Sequence, residues 1–393
     1  MFRIASSHLR ASRATYYRPT RLFHSSSRLW SDEKLRVLFC GADRFSVRHL
    51  EALHHDSQLP DSNIGNITVV TRTDKRTGRG LKQITSPPVK GEALKLGLQL
   101  YQIDTFKGWS PPPTDLIIAV SFGLLVPERI LSASTYGGIN VHPSLLPDLR
   151  GAAPVHWAIM LGRKHTGVTI QSLHPTKFDE GVILDQTPAP GIPVNHKWGG
   201  LNDTLAGFGA DMLVNAVRNR LYMPPYKPLP PRNFDEVALA PKIASEHRRV
   251  DFNTLSADDI LRRRDALMKL YAFARNRNMA PVRLILGPEI SELSQDDAEI
   301  HAICKWQPIG QPFAIRTHDG EVLDGGSILV NTVDGKTLSI RKMTVEGHPP
   351  MNAYAAARSA NLMMPFRQAP GFHAYLASWF YAPLSTEEKP SDG

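Results

Sequence analysis

The segment that decides the fold of the first half of the chain reads Leu35-Arg36-Val37-Leu38-Phe39-Cys40-Gly41. The run is almost entirely apolar and ends in glycine, which is typical of a buried β-strand followed by a tight turn. Residues 45–54 then place Phe45, Leu50 and Leu53 at helical spacing. The sequence therefore predicts a strand followed by a helix, which is the first unit of an α/β domain.

The same alternation continues along the chain. Further strands are predicted at residues 67–70, 98–103, 116–120, 138–142 and 167–173, and further helices at residues 88–98 and 152–161. Strands that are nearly all apolar and alternate with helices are typical of a parallel sheet covered on both faces. We therefore predict a Rossmann-like α/β domain with a mostly parallel sheet.

The second half has a different pattern. The proline-rich residues 224–231 predict an extended connector, and Ser256 is expected to cap a helical run over residues 260–275. Short strands are predicted at residues 282–286, 299–304, 312–316, 327–330 and 337–340, and a helix at about 352–363. Turn signals separate the strands, so we predict a smaller C-terminal β-barrel domain that is OB-like.

Charge is unevenly distributed in this chain of 393 residues and net charge +9. Residues 1–31 contain six arginines and no acidic residue, which is typical of a mitochondrial transit peptide; a disordered basic tail is the alternative. The remaining 40 basic residues nearly balance the 37 acidic ones, so overall charge gives no argument for nucleic-acid binding. The expected divisions are transit peptide 1–31, catalytic domain 32–225, linker 226–250, C-terminal domain 251–383 and disordered tail 384–393.

The sequence lacks the motifs that are typical of several other classes of protein. Two cysteines exclude a disulfide framework, and no apolar stretch is long enough for a membrane-spanning helix. The turn after the first strand lacks the G-x-G-x-x-G dinucleotide motif, and no phosphate-binding G-x-x-x-x-G-K-[ST] loop is present. Histidines with zinc-protease spacing are also missing, so we expect no metal site.

Three polar residues lie at or beyond the carboxyl ends of two strands of the predicted sheet. Asn140 and His142 share one face of a strand near its carboxyl end, where open α/β sheets bind ligands. Together they offer two donors to a developing oxyanion. Asp179 lies beyond the next strand and could orient the imidazole. The alternatives are ordinary structural hydrogen bonds for the pair and a turn cap for the aspartate.

A cluster of cations with Asp74 as its single acid occupies residues 71–90. Its cations are Arg72, Lys75, Arg76, Arg79, Lys82 and Lys90. Gly78 and Gly80 flank Arg79, so we expect a mobile loop. At the binding edge of a sheet such a loop suits a phosphate backbone; the alternative is a solvated surface loop.

These features, in this order, resemble the methionyl-tRNA formyltransferases, a branch of the folate-dependent formyltransferase family. The strings that carry the resemblance are Asn140-Val141-His142-Pro143-Ser144-Leu145-Leu146-Pro147, Arg150-Gly151-Ala152-Ala153-Pro154, Thr166-Gly167-Val168-Thr169-Ile170, Asp179-x-Gly181 and Gly78-Arg79-Gly80. The resemblance extends from about Leu35 to Leu362. One departure is Gly347-His348-Pro349-Pro350-Met351, where the family often carries two cations.

The resemblance implies a function and assigns residues to it. It implies formyl transfer from 10-formyltetrahydrofolate to initiator methionyl-tRNA in the mitochondrial matrix, by a monomer that needs neither metal nor membrane. Catalysis falls to Asn140, His142 and Asp179, and tRNA contact to the six cations of residues 71–90 and to the C-terminal domain. The folate site takes Ser121, Phe122, Gly123, Leu124, Leu125, Val126, Ser144, Leu145, Leu146, Pro147 and Gly181.

Two rival hypotheses remain open at this point. The same catalytic residues would serve another acceptor, namely glycinamide ribonucleotide, an amino sugar nucleotide or water. The chain could also be an RNA-binding protein of the organelle that keeps the fold without the activity. The basic segment and the N-terminal address favour tRNA over the other acceptors, and the intact catalytic residues disfavour the second hypothesis.

Overall fold

The computed structural model describes residues 34–379, except residues 196, 231, 295–297 and 347 and the side chain of Arg79. These residues belong to a compact unit that begins at Lys34. The predicted transit peptide, residues 1–31, and the predicted tail, residues 384–393, lie outside the described residues. No helix in the described part of the chain is long and apolar enough to cross a membrane.

The first half forms an α/β domain. Its elements in chain order are β1 (Leu35–Gly41), α1 (Arg44–Ser57), β2 (Ile64–Thr71), β3 (Lys75–Thr77), β4 (Gln83–Thr85), α2 (Pro88–Lys95), β5 (Gln99–Gln102), β6 (Leu116–Val120), α3 (Glu128–Leu131), β7 (Gly138–His142), α4 (Pro154–Met160), β8 (His165–Thr166), β9 (Thr169–Ser172), β10 (Ile183–Gln186), β11 (Ile192–Pro193) and α5 (Trp198–Arg218). Seven strands make one sheet in the order β10-β9-β7-β6-β1-β2-β5. The five strands from β7 to β5 are parallel, and β9 pairs antiparallel with both β7 and β10, so only β9 is reversed and the predicted mostly parallel sheet is confirmed.

The two faces of this sheet are covered by different groups of residues. On β6, Ile118 and Val120 pack into the core that contains α1 and α5, while Ile117 and Ala119 pack on the opposite face with Phe122. This alternation follows from the period of two along a strand. Both faces are therefore buried, which is why the strands read as continuous apolar runs.

Helix α5 is the longest helix among the described residues, and the sequence pattern did not predict it. Gly199, Gly200, Gly207 and Gly209 weaken its helical signal, because glycine is a poor helix former. Gly209 is required by packing, since a Cβ there would lie 2.7 Å from Nε2 of the buried His49 on α1. Close contact between α1 and α5 explains a residue that propensity alone disfavours.

The second half is built from two antiparallel sheets. Its elements are α6 (Ala257–Leu267), β12 (Leu270–Arg275), β13 (Pro281–Leu286), β14 (Ile290–Glu292), α7 (Ala298–Trp306), β15 (Phe313–Arg316), α8 (Leu323–Gly326), β16 (Ile328–Asn331), β17 (Thr337–Ile340), β18 (Lys342–Val345), β19 (Met351–Asn352), α9 (Ala353–Ser359), β20 (Arg367–Gln368) and β21 (Tyr375–Ser378). The sheet orders are β12-β13-β18-β19 and β14-β17-β16-β15-β21-β20. Closure into an OB-like barrel stays a prediction.

Two elements of the second half differ from the prediction. The predicted helix 260–275 ends at Leu267, where Met268 takes a left-handed φ of 61°, and residues 270–275 form β12 with every second residue buried. Residues 299–304, predicted as a strand, lie in α7. Their buried members Ile300, Ile303 and Cys304 have helical spacing, which the apolar alternation at 300, 302 and 304 obscured.

The connector between the halves pairs with a loop of the first domain. The N–H of Leu149 donates to Ala238 O at 2.8 Å, and the N–H of Ala240 donates to Arg150 O at 2.7 Å. The N–H of Ala153 in turn donates to Ala240 O at 3.1 Å. Part of the predicted linker 226–250 thus lies as an extended segment beside loop 149–153.

Candidate active site

A cavity of about 500 Å³ opens where β6 and β7 end, at the carboxyl edge of the parallel strands. Asn140, His142 and Asp179 all line it, so the three predicted catalytic residues lie together. Six of the predicted folate-site residues also line it, namely Ser121, Phe122, Gly123, Leu124, Leu125 and Val126. The location is the one that the topology of open α/β sheets favours for ligands.

His142 lies between two oxygen atoms. Its Nδ1 is 3.4 Å from Oδ1 of Asp179, and its Nε2 is 3.1 Å from the backbone oxygen of Leu149. The His142 side chain is only 6% exposed. Because a neutral imidazole has a single N–H, only the protonated ring can donate to both oxygens. The arrangement therefore suits a residue that holds or passes a proton beside the Asp179 carboxylate.

Asp179 is fixed by groups from three parts of the fold. The Gly151 N–H donates to its Oδ2 at 3.0 Å, and the Gln171 amide donates to its Oδ1 at 3.2 Å. Its backbone takes a left-handed φ of 54°, a conformation that aspartate tolerates better than most residues. The carboxylate is therefore held toward His142.

At two glycines near Asp179 the backbone of another segment lies too close to leave room for a side chain. A Cβ at Gly181 would lie 1.7 Å from the backbone oxygen of Ser172, and a Cβ at Gly151 would lie 2.4 Å from that of Ala240. Gly151 also has a φ of 131°, which side chains rarely allow. The glycines let the loops of the site lie directly on a neighbouring strand and on the connector.

Gln171 is a site residue that the sequence reasoning missed. It lies on β9 directly opposite Asn140, is 1% exposed and lines the cavity. Its amide oxygen accepts from the Gly181 N–H at 3.1 Å, while its amide nitrogen binds Asp179. A long polar side chain on a strand beside the predicted catalytic strand was the signal that could have identified it.

Asn140 differs from the other polar residues of the cavity. It is half-buried, and its side-chain amide makes no hydrogen bond within the part of the chain that the structure describes. Its position on β7, two residues before His142, places it on the cavity side of the strand. The amide can therefore donate to a bound group without first breaking a contact with the protein.

The remaining predicted folate-site residues do not line the cavity. They are Ser144, Leu145, Leu146, Pro147 and Gly181. The Ser144 hydroxyl donates to Asp148 O at 2.7 Å, and the Leu146 N–H donates to Thr169 Oγ1 at 3.1 Å. These residues shape the loop after β7 rather than face the cavity.

The basic segment forms a hairpin, and the mobility expected from its glycines stays a prediction. Strands β3 and β4 pair, with a short 3-10 turn at Arg79–Leu81 between them. Arg72 forms an ion pair with Asp104 at 2.9 Å, and Lys90 with Asp74 at 2.5 Å. Lys75, Arg76 and Lys82 are exposed and form no salt bridge among the described residues. The side chain of Arg79 lies outside the described part.

The described residues give little support for a cysteine nucleophile or a metal site. Burial raises the pKa of the Cys40 thiol to about 12 and that of Cys304 to about 11, so neither is poised as a nucleophile. No group of three or more His, Cys, Asp or Glu side chains in this part of the chain could hold a metal ion.

Comparison with known proteins identifies the family. Residues 34–217 match the Formyl transferase family. The mitochondrial methionyl-tRNA formyltransferase of Saccharomyces cerevisiae is 34% identical over 281 residues, covering 61% of this chain and 70% of that protein. The chain belongs to the methionyl-tRNA formyltransferase family. The Macrococcus caseolyticus methionyl-tRNA formyltransferase is 35% identical over 227 residues, covering 56% of this chain and 68% of its own length.

Solved structures that match this formyltransferase share less of its sequence. HypX from Aquifex aeolicus, in complex with tetrahydrofolic acid, has a TM-score of 0.46 and 20% identity over 83% of this chain. The match spans about half of HypX, at 46% of its length. The sugar 3N-formyl transferase WlaRD has a TM-score of 0.46 and 14% identity, covering 80% of this chain and 99% of its own.

Proposed function

We propose that this formyltransferase moves the formyl group of 10-formyltetrahydrofolate to the α-amine of initiator methionyl-tRNA. The product is formyl-methionyl-tRNA for the start of mitochondrial translation. The observation that carries the proposal is the convergence of Asn140, His142 and Asp179 on one cavity, in a chain of the methionyl-tRNA formyltransferase family.

The proposed reaction is a direct transfer through a tetrahedral intermediate. The neutral amine attacks the formyl carbon, a C–N bond forms, and the carbonyl oxygen becomes an oxyanion. Asn140 donates to that oxyanion from its unoccupied amide. His142 supplies a second donor when its Nε2–H leaves Leu149 O and turns toward the substrate. Catalytic hydrogen bonds often reach their final geometry only when substrate is bound.

The proton balance is completed by the His142–Asp179 pair. The attacking amine must lose a proton, and the N10 atom of the folate must gain one as its bond to the formyl carbon breaks. Asp179 holds His142 through Nδ1 and assists this transfer, with water as the carrier between the two nitrogens. No covalent intermediate with the enzyme is needed, because the nucleophile belongs to the substrate.

The formyl donor has a suitable wall in the cavity. Members of this family use folate derivatives, and the segment from Ser121 to Val126 offers backbone groups together with the apolar side chains of Phe122 and Leu124. A flat pterin fits such a mixture of apolar surface and a few polar groups. Residues 144–147 and Gly181 support this site through the loop after β7 and through Gln171.

We assign tRNA binding to two surfaces outside the cavity. The basic hairpin and the residues beside it contact the acceptor stem through its phosphates. Their cations are Arg72, Lys75, Arg76, Arg79, Lys82 and Lys90. The C-terminal domain, residues 251–383, acts as an OB-like barrel that holds the rest of the tRNA. In this proposal residues 32–225 are catalytic and residues 226–250 connect the two domains. A mitochondrial relative supports a mitochondrial location. Action in the matrix as a monomer, without metal or membrane, is also part of the proposal.

A formylation assay tests the proposal. The chain without residues 1–30 is mixed with 10-formyltetrahydrofolate and charged mitochondrial initiator Met-tRNA, and formylated product is measured. Glycinamide ribonucleotide, an amino sugar nucleotide and a reaction without acceptor run in parallel. We expect product only on Met-tRNA. Folate turnover without that product would keep the catalytic site but reject Met-tRNA as the acceptor. No folate turnover by folded protein would support the RNA-binding alternative.

A further inference from the structure

The cavity is lined by residues from both faces of the sheet. Phe122 and Val126 pack with the core on one face, together with Ala119 of β6. Val155 of α4 packs into the core on the other face, and Trp198 of α5 packs against that same core. All of these residues line the cavity, which therefore extends over the edge of the sheet from one face to the other. We call the part formed by Pro154, Val155, His156, Trp198 and Asn202 the second wall.

The second wall carries an aromatic stack. The rings of His156 and Trp198 lie with centroids 5.1 Å apart and an interplanar angle of 29°. Both rings are partly exposed and both line the cavity. Burial, with the nearby charge of Arg248, lowers the pKa of His156 to about 4. The imidazole is therefore neutral at neutral pH, and the stack presents an uncharged, polarisable surface.

The geometry points to the second wall as the subsite for the thioether side chain of the methionyl group; this inference rests on the proposed function. The folate occupies the wall from Ser121 to Val126, and the reacting amine must meet the formyl carbon beside Asn140. The aminoacyl group therefore reaches Asn140 along the opposite wall. Sulfur in a thioether makes favourable contacts with aromatic rings, often at the ring edge, whereas a polar side chain would lose hydration there.

The 3′-terminal adenine of the tRNA is the competing occupant, because bases also stack on aromatic rings. His156 already covers one face of the Trp198 ring, which leaves less of that ring for a base. A sulfur atom at a ring edge needs no free face. The arrangement thus favours the amino-acid side chain, and the two occupants differ in a measurable way.

The test compares acceptors that differ only in the amino acid. Initiator tRNA is charged with methionine or with glutamine, and kcat/KM is measured for the full protein and for Trp198→Ala and Trp198→Phe. We expect Trp198→Ala to raise KM for Met-tRNA about tenfold and to reduce the preference for methionine by a similar factor. Trp198→Phe should keep most of the preference, and KM for 10-formyltetrahydrofolate should stay unchanged.

Trp157→Ala is the matched control, because Trp157 is the neighbour of His156 but is not part of the cavity lining. Its indole N–H donates to Pro241 O at 2.8 Å, so its loss should lower the melting temperature while leaving the methionine preference intact. If Trp198→Ala does not fold, His156→Gln gives the same comparison. Equal losses on both acceptors would assign the stack to the adenine, and unchanged kinetics would overturn the subsite. A wild-type protein inactive on Met-tRNA would instead refute the proposed function.

Discussion

The cavity and the basic hairpin hold polar residues in opposite ways. In the cavity Asp179 has a side-chain exposure of 10%, and its two oxygens have fixed partners in His142, Gln171 and Gly151. In the hairpin the unpaired cations are exposed and carry their charge on flexible stems. The first region depends on geometry, since small displacements break its contacts. The second depends on charge, since a phosphate is attracted from any of several directions.

The largest effect should come from the cavity. Replacing Asn140 or His142 with alanine removes a donor to the oxyanion, so we expect kcat to fall by about 100–1,000-fold. Binding of tRNA should survive, since neither residue lies on the hairpin. Single-turnover formylation and a filter-binding assay measure the two properties separately. Asn215→Ala, on the exposed side of α5, is the control and should be neutral. Near-normal turnover in both cavity variants would show that Asn140 and His142 are not catalytic.

A smaller effect should follow from loosening the cavity without touching its donors. Gln171→Met keeps the approximate side-chain volume but loses the hydrogen bonds to Asp179 and Gly181. We expect kcat to fall about tenfold, since a loss of two such bonds releases the carboxylate that orients His142. The pH dependence of kcat should change as well, which a purely structural defect would not cause. Gln99→Met on the exposed edge strand is the control, and an unchanged pH profile for Gln171→Met would count against positioning.

The smallest effect at physiological salt should come from the hairpin. Changing Lys75, Arg76 and Lys82 together to glutamine should raise KM for tRNA several-fold, leave kcat unchanged, and reduce the slope of log affinity against log salt by up to about 2–3. Lysine-to-arginine and arginine-to-lysine exchanges at these positions keep the charge and should change little. If such exchanges were as harmful as neutralisation, the hairpin would depend on geometry as the cavity does.

The sheet could be predicted because buried parallel strands leave an unmistakable apolar pattern. The errors arose where the pattern was short or where tertiary contacts opposed propensity. Residues 270–275 follow a helix and include alanines, yet they pair with β13 because every second side chain is buried. The glycines of α5 disguised a helix whose close contact with His49 only the folded structure shows. Local propensity does not encode such contacts.

Only some of the residues at the candidate site could be predicted, because only some of them lie in short sequence motifs. Asn140, His142 and Asp179 were identifiable because short motifs mark the ends of strands. Gln171, His156 and Trp198 have no such motif, and they reach the cavity through strand register and helix packing across the sheet. The path of the loop after β7 also decides which of the predicted folate residues face the cavity. One-dimensional spacing does not determine that path.

The pairing of connector residues 238–240 with loop 149–153 bears on the order in which the protein is made. Synthesis proceeds from the N-terminus, and domains usually begin to fold as they emerge. All three proposed catalytic residues precede residue 238, but until residues 238–240 are in place the loop that supplies Gly151 to Asp179 and Leu149 to His142 lacks its backbone partners. A chain in which the connector is not yet in place therefore holds the proposed site without the backbone pairing that fixes loop 149–153.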